Sequence, residues 1–159
     1  MSTPEYDRWK SLTIRRPDDV PAVTPLAWHV EKFTEHNDRL MNNTLPADFP
    51  YDVQRGDAGD ALAAIALRES IHRQVEQERG SRVREAIELG ATWTEVAAAL
   101  DVTPDDARAL LRQWADRQQH LHQGDVERAL DSPLGLSPER HAAMLALIGL
   151  GDDESVRRD

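Results

Sequence analysis

The 159-residue sequence contains no cysteine and no long apolar run. The lack of cysteine excludes disulfides and thiolate metal ligands. No apolar stretch approaches the roughly 20 residues that a membrane-spanning helix needs, and residues 1–10 lack the apolar segment of a signal peptide. We therefore expect a cytoplasmic protein with no membrane partner.

Motifs for catalysis and for cofactor binding are also missing. The sequence has no G-x-S-x-G, no phosphate-binding P-loop and no G-x-G-x-x-G. His120 and His122 are two residues apart, which on a helix directs them to different faces, and His141 has no H-E-x-x-H context. We therefore expect no catalytic residue, no cofactor and no metal site, and the protein is predicted not to be an enzyme.

Positive charge is scarce relative to negative charge. The chain has 19 Lys and Arg residues against 29 Asp and Glu, a net charge of −10. Residues 80–123 hold five arginines and seven acidic residues, a net charge of −2, and residues 124–159 hold four against eight, a net charge of −4. A DNA-binding protein usually presents a basic surface, so this balance argues against a nucleic-acid partner.

Two helices joined by a tight turn are predicted between Thr92 and Trp114, a helix-turn-helix arrangement. Thr92 is a good N-cap, and Glu95 three residues later completes a capping box. Thr103 is a second N-cap, and Pro104 follows at the first helical position, where a missing N–H costs nothing. Apolar residues recur at helical spacing in both segments, and with Trp93 they are expected to be buried: Val96, Ala97, Leu100, Ala107, Leu110, Leu111 and Trp114.

This stretch resembles the helix-turn-helix of bacterial transcriptional regulators of a small actinobacterial type, and that of the sigma-factor promoter-reading region. The matching positions are a small residue between the helices, an apolar turn residue, a cap and two core residues: Ala97, Val102, Thr103, Ala107 and Leu110. Asp101 stands where these families usually have glycine, and aspartate tolerates the left-handed conformation better than most residues. With a support helix predicted from Ser81 to Leu89, the match covers about residues 81–120.

The resemblance implies a DNA-binding protein, a transcriptional regulator that binds double-stranded DNA. A dimer is expected because one helix-turn-helix rarely binds tightly enough alone. The residues expected at the DNA are Thr103, Asp105, Arg108 and Arg112. For Arg108, contact with a base and pairing with Asp105 on the same helix are both open.

The alternative function is an acidic protein-interaction module that keeps the helix-turn-helix fold without reading DNA. Its partner would be a sigma factor or another DNA-binding protein, which would suit the net charge of −10. The two functions predict different surfaces. Arginines that converge on one face would favour DNA, and arginines scattered among acids would favour protein; the residues concerned are Arg82, Arg84, Arg108 and Arg112.

Helical periodicity without any β pattern predicts an all-α helical bundle of about five to seven helices with flexible N- and C-terminal tails. The predicted organisation is a partly ordered arm over residues 1–23, an N-terminal helix and loop over 24–56, a long helix plus the helix-turn-helix over 57–123, short helices over 124–150 and a disordered tail over 151–159.

Glycines mark several predicted helix ends. Gly80 with Ser81 is expected to end or kink the long helix that starts near Asp60, and Gly124 is expected to end the second helix of the pair. A short helix is then predicted around Val126 to Leu130. The last helix is predicted to start at Ser137-Pro138 and to stop at Gly149.

Thr24 is predicted to cap a helix that Pro25 opens, by the same cap-then-proline signal as at Thr103-Pro104. This helix carries an apolar stripe at alternating spacings of four and three, formed by Leu26, Val30, Phe33, Asn37 and Leu40. Two interpretations remain. The stripe packs on the core of one chain, as in an ordinary amphipathic helix, or it forms the seam of a homodimer in which Asn37 sets the register.

Overall fold

The structure, a computed structural model, describes residues 2–156. This part of the chain forms six α-helices and no β-strand, which confirms the predicted all-α fold. None of these helices is both long enough and apolar enough to span a membrane. The helices are α1 (Pro4–Ser11), α2 (Leu26–Met41), α3 (Ala58–Glu88), α4 (Trp93–Leu100), α5 (Pro104–Glu127) and α6 (Pro138–Ile148), with single 3₁₀ turns at Pro17–Asp19 and Asn42–Thr44.

The chain divides into two compact units, an N-terminal unit (Met1–Glu76) and a C-terminal unit (Gln77–Asp159). The division falls inside α3, whereas the sequence suggested a boundary near residue 57. The reason lies in the packing of α3. Its first part contributes Leu67 to one buried cluster, and its last part contributes Ile87 to another.

The buried cluster of the N-terminal unit depends on the first helix. Trp9 is 3% exposed and Ile14 is fully buried, and they pack with Ala66 and Leu67 of α3. Both residues come from the segment 1–23, predicted above as a partly ordered arm, of which residue 1 lies outside the described part. Burial of a tryptophan and an isoleucine stabilises this segment because each removes a large apolar surface from water.

Helix α2 starts one residue later than its sequence signal suggested. Pro25 is its N-cap, and the buried Thr24 hydroxyl instead donates a hydrogen bond to the Pro21 carbonyl at 2.8 Å. The prediction that Thr24 caps the helix is therefore wrong. The Thr24 hydroxyl closes the preceding turn and accepts no hydrogen bond from the unpaired N–H groups at the start of α2.

The buried face of α2 is also different from the apolar stripe in the sequence. His29 and Lys32 are 3% and 4% exposed, whereas Val30 of the stripe is 45% exposed. A lysine can be buried when its aliphatic stem packs and its amino group is hydrogen-bonded. Asn37 lies half-buried, so the choice between a one-chain helix face and a homodimer seam stays a prediction.

Helix α3 runs without interruption through Gly80, so the predicted end or kink at Gly80-Ser81 is wrong, and no separate support helix exists. Gly80 is buried, and a Cβ atom added there would lie 2.1 Å from the Cβ of Trp114. Glycine in a helix interior costs about 0.5–1 kcal/mol relative to alanine. Here that cost is offset because the missing side chain makes room for the Trp114 side chain.

Helix α5 likewise continues through Gly124 to Glu127, which corrects the predicted end at Gly124 and the predicted short helix around Val126 to Leu130. The chain leaves the helix at Arg128, and Ala129 adopts a positive φ of 55°. The buried Asp125 carboxylate organises the loop that follows. It accepts hydrogen bonds from the Leu134 N–H at 2.9 Å and from the Arg128 guanidinium.

Helix α6 starts and ends as predicted. The Ser137 hydroxyl accepts a hydrogen bond from the Arg140 N–H, Pro138 is the first helical residue and Gly149 is the C-cap. The buried cluster of the C-terminal unit includes Ile148 and residues from α3 to α6: Val83, Ile87, Trp93, Val96, Ala97, Ala107, Leu111, Trp114, Ala115, Leu136 and Met144.

Candidate macromolecular interface on α4 and α5

Capping side chains set the start of both α4 and α5. The Thr92 hydroxyl accepts a hydrogen bond from the Glu95 N–H at 3.2 Å, and the Glu95 carboxylate accepts one from the Thr92 N–H at 2.8 Å. The Thr103 hydroxyl accepts from the Asp106 N–H at 3.1 Å, and Pro104 is the first helical residue. Both predicted caps are confirmed, and each satisfies backbone donors that the helix itself leaves unpaired.

The connection between the two helices is a left-handed turn. Asp101 has φ 54° and ψ 47°. The Val102 N–H donates to the Ala97 carbonyl at 3.0 Å, and the Asp101 N–H donates to the Ala98 carbonyl at 3.2 Å, the two hydrogen bonds of a Schellman motif. The prediction that Asp101 accepts the conformation usually given to glycine is confirmed.

Tryptophans lie at the centre of the packing between these helices. Trp93 is fully buried and Trp114 is 8% exposed, as predicted. The Trp93 indole N–H donates to the Leu147 carbonyl at 3.0 Å, so its polar atom is satisfied inside the core. Ala97 and Ala107 are also buried in the same cluster, where small side chains allow the helices to approach closely.

Arg108, one of the residues expected at DNA, is held within the C-terminal unit. Its side chain is only 17% exposed, and its guanidinium lies 5.4 Å from the centroid of the Trp93 ring. The guanidinium donates to the Asp105 carboxylate at 3.0 Å, to the Leu150 carbonyl at 3.0 Å and to the Asp152 carboxylate. Three of the five N–H donors of the Arg108 guanidinium are thus occupied, including both of Nη2.

The segment after α6 supplies two of these partners. The Asp152 carbonyl also accepts a hydrogen bond from the Thr94 N–H at 3.0 Å, and the Ser155 hydroxyl donates to the Gly90 carbonyl at 2.7 Å. Within the described part of the predicted disordered tail, Asp152 is thus hydrogen-bonded to the first turn of α4 and Ser155 to the segment before it, and residues 157–159 lie outside the described part. Sequence patterns could not link Arg108 with Asp152, because 44 residues separate them.

Two arginines of α3, Arg82 and Arg84, are paired with acids on the same helix. Arg82 contacts Glu85 at 3.0 Å, and Arg84 contacts Glu88 at 3.6 Å while its guanidinium lies 5.0 Å from the Trp114 ring centroid. Arg112 is different. It is exposed on α5 and has no hydrogen bond or ion pair to any residue between 2 and 156.

Acidic side chains dominate the solvent side of the turn and of the first turn of α5. The Asp105 side chain is 94% exposed even though it pairs with Arg108. Asp101 and Asp106 are also exposed, and so is Thr103, whose hydroxyl is occupied by the cap. Of the four residues expected at DNA, the structure therefore leaves only Arg112 as an exposed cation.

Two of the three histidines in this unit make pairwise contacts. The Nε2 atom of His141 lies 2.7 Å from the Asp116 carboxylate, and the Nδ1 atom of His122 lies 3.0 Å from the Leu134 carbonyl. Within residues 2–156, no group of three or more His, Asp and Glu side chains is placed to hold a metal ion.

Comparisons of this chain with protein-family models, with curated proteins and with solved structures find no match.

Proposed function

We propose that the C-terminal unit carries a helix-turn-helix, formed by α4 and α5, that binds a basic protein surface. The observation that carries this proposal is the position of the charges. Arg108 lies over Trp93 with its guanidinium paired, whereas Asp105 and Asp106 are exposed at the start of α5. The helix that would enter a DNA groove thus begins with exposed negative charge.

Electrostatics supports a basic partner over DNA. Affinity for DNA comes largely from cations that neutralise phosphates and release counterions. Asp101, Asp105 and Asp106 would instead repel phosphates, and the chain as a whole has a net charge of −10. The same carboxylates attract lysine and arginine side chains of another protein, and such complementarity raises association rates and suppresses wrong partners.

DNA binding is the second candidate, and Arg112 is the observation that favours it. This arginine is exposed on α5 and unpaired within residues 2–156. An arginine on a recognition helix can donate two hydrogen bonds to a guanine in the major groove. A single cation among carboxylates gives little non-specific attraction, which is why we place this function second.

The test is a pair of binding titrations on the full chain. One titrant is a pool of fluorescently labelled double-stranded genomic fragments, and the other is a labelled arginine-rich helical peptide. Both are measured at about 50 and about 200 mM salt, because contacts between charges weaken as salt rises. We expect binding of the peptide that weakens at the higher salt, and no binding of DNA at either salt.

Two double variants distinguish an effect of this surface on binding from an effect of the net charge of the chain. The double variant Asp105→Asn with Asp106→Asn should lose most peptide affinity, because it removes the exposed carboxylates. Asp48→Asn with Asp131→Asn changes the net charge equally at exposed positions outside α4 and α5 and serves as the matched control. Equal losses in the two double variants would contradict the proposal. Binding of DNA that Arg112→Ala weakens would establish the second candidate instead.

A further inference from the structure

The segment after α6 is hydrogen-bonded to the start of α4, and we call residues 150–156 the strap. The Asp152 carbonyl accepts a hydrogen bond from the Thr94 N–H at 3.0 Å, and the Ser155 hydroxyl donates to the Gly90 carbonyl at 2.7 Å. Thr94 lies in the first turn of α4, where the helix itself supplies no acceptor for its N–H. The strap therefore has a defined position beside α4 and α5.

Arg108 joins the strap to α5. Its guanidinium donates through Nη1 to the Asp105 carboxylate at 3.0 Å, and through Nη2 to the Leu150 carbonyl at 3.0 Å and to the Asp152 carboxylate. One side chain thus bonds a carboxylate of α5 and a carboxylate of the strap. The planar fork of a guanidinium suits this arrangement, whereas a lysine ammonium is a point charge without that geometry.

Within this group the cation lies inside and the carboxylates lie outside. The Arg108 side chain is 17% exposed, and its guanidinium lies 5.4 Å from the centroid of the Trp93 ring. The side chains of Asp105 and Asp152 are 94% and 53% exposed. Because Arg108 holds both carboxylates, they are ordered before any partner arrives, and binding then loses less conformational freedom than it would with two mobile side chains.

We propose that Arg108 is a positioning residue for binding of the basic partner, and that it acts by holding Asp105 and Asp152 together without touching the partner. This inference rests on the function proposed for α4 and α5 and adds the strap to that surface. Removal of a positive charge from an acidic surface ordinarily strengthens its attraction for a basic ligand. Removal of Arg108 should instead weaken binding, because the strap and its carboxylate are no longer held at α5.

Substitutions at two arginines of α5 separate positioning from charge. The probe is the labelled arginine-rich helical peptide, titrated into the full chain at about 50 mM salt, where contacts between charges are strong. Arg108→Gln and Arg112→Gln change the net charge equally, and Arg112 is exposed without a hydrogen bond or ion pair within residues 2–156. We expect Arg108→Gln to weaken peptide binding about fivefold, which corresponds to one lost hydrogen bond. Arg112→Gln should bind the peptide at least as tightly as the wild type.

Two variants that keep the net charge test the geometry itself. Arg108→Lys retains the positive charge but not the fork that bonds both carboxylates, so it should also weaken peptide binding. Ser155→Ala removes the bond from the strap to the Gly90 carbonyl and should weaken binding to a smaller extent. Hydrogen exchange of the Thr94 amide reports on the strap directly. It should be faster in both variants, and slower in the wild type with peptide bound, because docking of the strap and binding of the peptide favour each other.

The outcomes distinguish this inference from the proposed function. If the wild type does not bind the peptide, the proposed function fails and this inference fails with it. If the wild type binds the peptide, the inference alone is overturned by any of three results. These are Arg108→Gln binding as tightly as the wild type or more tightly, Arg112→Gln losing as much affinity as Arg108→Gln, and equal exchange of the Thr94 amide in the wild type and in Arg108→Lys.

Discussion

The two units of this protein build their cores from different chemistry. The C-terminal cluster consists of apolar residues around Trp93 and Trp114, and the buried carboxylate of that unit, Asp125, is bonded to the loop after α5. The N-terminal core has an apolar cluster too, but α2 packs beside it with buried His29 and Lys32. An apolar cluster tolerates local adjustments of packing, whereas a buried polar group requires a specific partner at a specific distance. We therefore expect substitutions in the C-terminal core to act through lost apolar packing, and substitutions at the buried polar groups of the N-terminal core to act through lost hydrogen bonds.

The largest expected loss of stability comes from a substitution in the C-terminal core. Replacing Trp114 by alanine removes a large side chain that packs against Gly80 and should lower the free energy of unfolding by about 3–5 kcal/mol. Urea unfolding followed by circular dichroism measures it. Leu121→Ala is the control on the same helix, because Leu121 is 40% exposed, and it should cost much less. Equal losses would contradict the assignment of Trp114 to the core.

A substitution of Lys32 tests how much the buried polar groups contribute to the stability of the N-terminal core. Its amino group donates to the carbonyls of Trp9 at 3.1 Å and Lys10 at 2.9 Å, and burial lowers its pKa. Lys32→Met keeps most of the stem but leaves both carbonyls without this donor, at a cost of about 1–3 kcal/mol.

Hydrogen exchange resolved by peptide should show that this loss concentrates in residues of the N-terminal unit. Lys10→Met is the matched control, since the sequence has only these two lysines and the Lys10 side chain forms exposed ion pairs with Glu31 and Glu35. Exposed pairs contribute about 0–1 kcal/mol. If Lys32→Met exchanged like the wild type, the amino group would have no part in holding α1 to α2.

Arg108 and Arg112 form a matched pair on one helix of the C-terminal unit. Arg108→Ala removes the hydrogen bonds to Leu150 and Asp152 and should cost about 1–2 kcal/mol, within the usual range for a lost buried contact. Arg112→Ala should stay within about 0.5 kcal/mol of the wild type, as is typical of exposed positions. Thermal unfolding measures both. The reverse order would mean that Arg112, and not Arg108, is the structural arginine.

The smallest expected effect is a change in the stability of the N-terminal unit with pH. Burial lowers the pKa of His29 below its usual value near 6.5, so the unfolded chain binds a proton that the folded unit resists. Stability should therefore be full above that usual value and fall as pH decreases below it, by at most the slope of one proton. His29→Gln should give a flatter curve in thermal unfolding between pH values of about 5 and 8. A wild-type curve as flat as that of the variant would contradict this prediction.

Asp60 contributes to the stability of the N-terminal unit down to a more acidic pH range than His29 does. Its carboxylate accepts hydrogen bonds from His36 at 2.7 Å and from Arg39 at 2.9 Å. These contacts hold its pKa well below the usual range, so this stabilisation is present above the usual carboxyl pKa and is lost only in more acidic solution. The decline predicted for His29 is therefore separated from that of Asp60 along the pH axis.

The sequence by itself determined the helices whose signals are local. Capping side chains at Thr92, Thr103 and Ser137, prolines at first helical positions and the left-handed Asp101 act over a few residues. Burial of Trp93 and Trp114 could be predicted because both lie in segments with helical apolar spacing. The acidic character of the candidate interface was also evident, since charge is a property of composition.

The tertiary structure decided the features that depend on distant partners. From sequence, Gly80 could end a helix or allow a large side chain to pack closely against the helix. The packing of Trp114 against Gly80 accounts for the second outcome. The charged side chain of Lys32 would not be expected in a core, and its burial is possible because the carbonyls of Trp9 and Lys10 accept hydrogen bonds from its amino group. Arg108 could have faced DNA, but the Leu150 carbonyl and the Asp152 carboxylate hold it. In each case the energy of a side chain depends on atoms that sequence neighbours do not supply.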